Sequence, residues 1–252
     1  MVRYKLTLAY DGINFFGSQR QANERTVQGE LEKALTKIGW TGSSVLIAGR
    51  TDTGVHATGQ VVSVDLNWSH TDDALIHALN SSLPDDMSVK SAQVVADKFH
   101  PRFDALSRLY RYKLFFQPHR DPIRERYAWR VWPQVSGDDL ENASKQLTGM
   151  HDFSAFGSPT TPKGTTVRTV IKADWTQATE DEWHFEVQAN AFLYRMVRRM
   201  VFIQVTVAQG KISADAIAHS LANQESAESG NGLLSGLAPA HGLTLINVEY
   251  KT

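Results

Sequence analysis

The sequence predicts an α+β fold of two similar α/β halves, residues 1–105 and 106–252. Each half is expected to be a mainly antiparallel sheet with helices on one face, with an active-site cleft between the halves. Three observations carry that expectation. Val2, Tyr4, Leu6, Leu8 and Tyr10 alternate with polar residues, the two-residue period of a half-buried strand. Stripes at helical spacing fall between such strands rather than in one block, which suggests helices layered on sheets. The same mixture then recurs in the second half.

Taken in order, Val2–Tyr10 is the first strand and Asp11-Gly12 the turn after it. Thr26 is a candidate N-cap for a helix over residues 27 to 38, with Val27, Leu31, Leu35 and Ile38 as its stripe and Gly39 as its stop. Val45–Ala48 and Val61–Leu66 read as strands on either side of the segment AGRTDTGVHA. A helix over 73 to 80 follows Thr71, and Val89–Ala96 is a further strand. In the second half Leu109–Phe116 and Tyr127–Trp132 read as strands, and Ser136 with Asp139 resembles a capping box. Val167–Trp175 and Trp183–Ala189 form a hairpin whose acidic tip, Glu180 to Glu182, is expected to turn away from any nucleic acid. A long apolar-basic helix over 192 to 208, a short one over 213 to 222, a loop at 229 to 236 and a closing strand Leu243–Tyr250 complete the chain.

Composition bounds the chemistry. With 42% apolar and 21% charged residues the chain is ordinary for a globular protein. It holds no cysteine, so disulfides, thiolate nucleophiles and cysteine-bound metals are excluded. No apolar run is long enough to span a bilayer and the N-terminus has no signal-like apolar stretch, so a cytoplasmic location is expected. The net charge of −1 hides a local imbalance. Between Lys98 and Arg130 stand Arg102, Arg108, Arg111, Lys113, Arg120, Arg124 and Arg126, against Asp104, Asp121 and Glu125. Arg195, Arg198 and Arg199 form a second cluster. Phosphate binding follows the local field rather than the sum, although such arginines are equally at home on a solvated surface.

The densest functional signal is AGRTDTGVHA. Gly49 and Gly54 permit tight turns and close ligand approach, and Thr51, Asp52 and Thr53 follow a strand end that can hold them rigidly. Arg50 stands near enough in sequence to pair with Asp52 or with a phosphate. An ionised carboxylate suits a nucleophile or electrostatic stabiliser better than a general acid. Taken alone, such an aspartate more often caps a turn. His56 reads as structural, His100, His151 and His241 lack ligand-like spacing, and Met196 and Met200 read as core.

GRTDTGVHA resembles the signature of the tRNA pseudouridine synthase A family. YDGINFFGSQRQ, RTVQGELEKAL, FHPRFDALSRLYRYKLF, HDFSAF, ANAFLYRMVRRMV and HGLTLINVEY are similar to other blocks of that family in the same order. The resemblance covers essentially the whole chain. It implies isomerisation of uridine to pseudouridine in the tRNA anticodon arm, at positions 38 to 40. It makes Asp52 the catalytic residue and Tyr110 the ring that stacks on the extruded uracil. Arg50 and Arg198 would contact Asp52 or phosphate. It implies a homodimer and needs no cofactor and no metal, because the reaction gains and loses no atoms. Two positions depart from the pattern: Ser18 stands where a Trp is expected, and Phe202 where a Gly often follows. A catalytically silent RNA-binding module is the alternative from another class, and a carboxylate-pair glycosidase a third. The intact Asp52 and Arg50 speak against the first. The second needs another acid–base carboxylate, which is not seen near Asp52.

Overall fold

The computed structural model describes residues 1–161, 163–222 and 233–251, so residues 229–232 of the expected loop lie outside the described residues. The chain divides into two compact units, Met1–Leu106 with the segment from Thr244 onward, and Ser107–Leu243.

The first unit holds β1 (Val2–Tyr10), α1 (Val27–Lys37), β2 (Leu46–Ile47), β3 (His56–Leu66), α2 (Asp72–Asn80) and β4 (Met87–Val94). The alternation of β1 buries Tyr4, Leu6, Leu8 and Tyr10, as expected. Thr26 and Thr71 cap their helices, their side chains accepting the N–H of Gly29 and of Ala74 at 3.2 Å each. α1 ends where Gly39 adopts a left-handed φ of 90°. β1 runs antiparallel to β3 on one side and to β4 on the other, and α2 lies against β4. The second edge of β3 is shared: β2 pairs antiparallel at Val62–Ser63, and β10 (Leu243–Tyr250) pairs parallel at His56–Ala57. The strand that closes the sequence therefore belongs with residues 1–106, not with a half running from 106 to 252. Its Thr244 and Leu245 pair with His56 and Ala57 of β3, and no contiguity rule in the sequence shows that.

The second unit holds most of β5 (Ala105–Phe116), then β6 (Trp129–Val131), α3 (Gly137–Lys145), β7 (Gly149–Asp152), β8 (Val167–Gln177), β9 (Glu182–Ala189), α4 (Met196–Ala208) and α5 (Asp215–Ala222). Its strands follow the order β5-β9-β8-β7, antiparallel throughout, with β6 parallel to β5. α3 packs on α4 and β8, and a buried bond of 2.7 Å from Trp175 Nε1 to Gln204 Oε1 ties β8 to α4. Met196 and Met200 are core, as expected.

Two local expectations change. Ser136 starts α3, but its side chain makes no capping bond. α4 begins at Met196 rather than 192, because Arg195 takes a left-handed φ of 63° that a helix cannot continue through. Among the described residues no helix is long and apolar enough to cross a membrane.

Candidate active site

The segment around Asp52 leaves β2, turns, and enters β3 at His56. Gly54 occupies the left-handed region with φ 80°, and Val55 N–H donates to the Asp52 carbonyl at 3.1 Å, which closes a tight turn over Thr53 and Gly54. Elements remote in sequence then hold its backbone and the Thr51 hydroxyl. Ser18 clasps Thr51 twice: Thr51 N–H donates to Ser18 Oγ at 2.8 Å, and Ser18 N–H donates to the Thr51 carbonyl at 3.0 Å. Tyr10 Oη lies 2.8 Å from Thr51 Oγ1, and Gln60 Nε2 donates to the Gly49 carbonyl at 2.8 Å. Burial pushes the Tyr10 phenol above its ordinary pKa, so it stays protonated as a hydrogen-bond partner.

Two glycines let this support come close. A Cβ on Gly12 would lie 2.0 Å from the Val55 carbonyl oxygen, and one on Gly17, whose φ is +85°, would lie 2.9 Å from that of Thr51. His56 is buried and its Nδ1 accepts the Gly12 N–H at 3.0 Å, the structural part expected of it. The result is a half-buried Asp52 carboxylate displayed from a backbone fixed on both sides. The neighbouring Arg50 is exposed. Among the described residues no three His, Asp or Glu side chains gather at metal-ligand spacing.

Arg50 and Asp52 belong to the first unit, Tyr110 and Arg198 to the second. Tyr110 is buried on β5, with its ring edge-on to Phe192 at 5.1 Å between centroids. Tyr112, two residues on, is fully buried; its hydroxyl donates to the Pro239 carbonyl at 2.8 Å, and burial pushes its pKa well up. Arg198 on α4 is half-buried: its Nε donates to the Ala238 carbonyl at 2.8 Å while Ala238 N–H donates back to the Arg198 carbonyl at 3.2 Å. Arg199 bonds the carbonyls of Leu234 and Gly236. The departure at Phe202 is accommodated by Gly236, where a Cβ would meet the Phe202 ring at 2.3 Å.

The basic run between Lys98 and Arg130 is largely occupied within the protein. Arg111 pairs with Glu186 at 2.6 Å, Arg120 with Glu125 at 2.7 Å, and Arg124 with Asp181 at 2.7 Å and Glu182 at 3.2 Å. The acidic hairpin residues thus serve as counter-ions to arginines that composition alone offers to phosphate. Sequence reasoning missed the Ser18, Tyr10 and Gln60 supports. Only the Gly17-Ser18 break after the first strand hints at them.

The chain matches the family model described as tRNA pseudouridine synthase over residues 7–104 and 143–251. It is 38% identical over 251 residues to tRNA pseudouridine synthase A of Bacillus subtilis (strain 168), covering 99% of each chain. It is 38% identical over 253 residues to the protein of that name in Listeria monocytogenes serotype 4b (strain CLIP80459), covering 100% of each. The counterpart in Bacillus velezensis is 39% identical over 251 residues, again covering 99% of each chain. A match that takes in both the loop around Asp52 and the α4 segment, at this identity and end to end, means that the chain belongs to the tRNA pseudouridine synthase family.

Proposed function

We propose that this protein isomerises uridine to pseudouridine in the anticodon arm of tRNA, at positions 38 to 40, with Asp52 as its catalytic nucleophile. The observation that carries the proposal is the Asp52 loop, whose backbone is held by Ser18 and Gln60 and whose Thr51 hydroxyl is held by Tyr10, so that one carboxylate is presented with little freedom. The reaction breaks the N1–C1′ bond, turns the uracil, and joins C5 to C1′; the C5 proton is lost and N1 gains one, so no atom is gained or lost overall. Asp52 acts at C1′, by forming an ester with the sugar or by promoting a glycal intermediate. Either course needs the ionised carboxylate.

The target base must leave its stack, at a cost of a few kcal/mol. Stacking on Tyr110 offsets part of that cost, and its phenol assists removal of the C5 proton. Exposed Arg50 contacts the backbone phosphate, and Arg198 supports phosphate or Asp52. The protein works in the cytoplasm as a homodimer, one subunit holding the tRNA body while the other acts.

The test is release of tritium from tRNA carrying 5-³H-uridine, which is lost only when C5 bonds to C1′. Wild type should release it. Asp52→Asn should bind tRNA normally and lose at least about 10⁴-fold in turnover, or about 5 kcal/mol of transition-state stabilisation. No release by wild type would sink the activity, and equal release by the variant would sink the role of Asp52.

A further inference from the structure

Phe103 is 74% exposed, more than any other Phe, Tyr or Trp ring among the described residues. It is not on a loose loop. Residues 99 to 104 form a turn knotted by its own hydrogen bonds. His100 Nδ1 accepts the N–H of Arg102 at 3.1 Å and of Phe103 at 3.3 Å. His100 N–H donates to Asp104 Oδ2 at 2.8 Å, and Asp104 N–H donates to the His100 carbonyl at 3.0 Å. The base of the turn is fixed as well: Tyr250 Oη donates to the Pro101 carbonyl at 2.7 Å, Arg3 Nη1 donates to the Phe99 carbonyl at 3.1 Å, and the Phe99 and Tyr250 rings lie 5.1 Å apart.

One flank of the Phe103 ring is set by the His100 ring at 4.2 Å, and the Arg102 guanidinium stands 5.7 Å from its centroid. Lys98 is exposed just upstream. Leaving a large apolar ring in water is unfavourable unless a partner covers it. A rigid aromatic face with cations beside it is the combination that stacks on a nucleobase while its charges meet the phosphates. A protein partner would call for a wider apolar patch, depleted of lysine.

Resting on the proposed action on tRNA, we propose that Phe103 is a second base-stacking contact, distinct from Tyr110, which holds an unpaired or splayed nucleobase of the tRNA. Its contribution is to binding, not to the chemical step.

The test compares Phe103→Ala, Phe103→Leu and Phe103→Trp in the full-length protein, by filter binding of unmodified tRNA and by tritium release. Phe103→Ala should weaken tRNA binding and raise KM about tenfold with kcat unchanged. Phe103→Leu, which keeps apolar bulk without a π face, should do no better, and Phe103→Trp should restore wild-type values. Wild-type affinity in Phe103→Ala, or rescue by Leu equal to that by Trp, overturns the proposal. So does a change of sedimentation in Phe103→Ala, which would assign the ring to a second copy of the chain. If wild type binds tRNA but releases no tritium, the activity falls while the binding series still decides Phe103. If wild type binds no tRNA, both fall.

Discussion

Ser18 and Thr51 exchange two hydrogen bonds across 33 residues of chain, and one of them uses the Ser18 hydroxyl as its acceptor. Ser18 is fully buried, so Ser18→Ala leaves the Thr51 N–H without that partner in a dry site. The expected cost is about 1–3 kcal/mol in urea denaturation. Because Asp52 is the next residue along, turnover should fall while tRNA affinity stays. A variant as stable and as fast as wild type would show that the hydroxyl is dispensable to the loop.

Gly59 on β3 faces the β10 backbone, where a Cβ would sit 2.1 Å from the Ile246 carbonyl oxygen. Gly59→Ala must push the two strands apart, and a loss of about 3 kcal/mol or more is expected. Gly39→Ala is the control: its φ is +90° but nothing lies within 4 Å, so only the backbone term of about 1–2 kcal/mol applies. Thermal melts of the pair separate close approach from conformational strain.

The bond from Arg124 holds the Asp181 carboxyl down at about 2, against an ordinary 3.8. A depressed carboxylate stabilises the fold above its unfolded pKa, and that stability is lost as pH falls from about 4 towards 2. Asp181 is 34% exposed, so solvent screening reduces the contribution to about 1 kcal/mol. Arg124→Met should therefore be less stable than wild type at pH 6, and the difference should fade below pH 4. A constant difference across that range would mean that packing of Arg124 over Phe115, at 4.2 Å, is the whole effect.

Arg50 is exposed, whereas Arg111 is held by Glu186 at 2.6 Å. Arg50→Gln should lower the slope of log affinity for tRNA against log salt by roughly 0.7–0.9, one phosphate contact. Arg111→Gln should leave the slope unchanged. Filter binding over a salt series decides, and the opposite result would place the phosphates on β5.

What the sequence made legible was local. Two-residue alternation located β1, and threonines three residues ahead of the N–H they cap located the starts of α1 and α2. The four-residue β7 was missed, since GMHD carries no alternation of its own and is a strand only because β8 pairs with it. The carboxylate loop was legible because glycines and polar residues crowd it. Its supports were not, because Tyr10, Ser18 and Gln60 become neighbours of the loop only through folding. Charge patterning misled for the same reason: Arg124 and Asp181 stand 57 residues apart, so a basic stretch and an acidic turn looked independent.

The pairing of Thr244 and Leu245 with His56 and Ala57 also sets a schedule. A ribosome that has delivered residues 1–243 has already made Asp52 and its clasps, and β1 already meets β3 where Tyr10 pairs with Ala57, yet the second edge of β3 is still bare where the loop enters it. Thr244 and Leu245 cover that edge once they emerge. A chain cut before Thr244 would therefore carry the carboxylate loop on a sheet with one edge of β3 unpaired at His56 and Ala57.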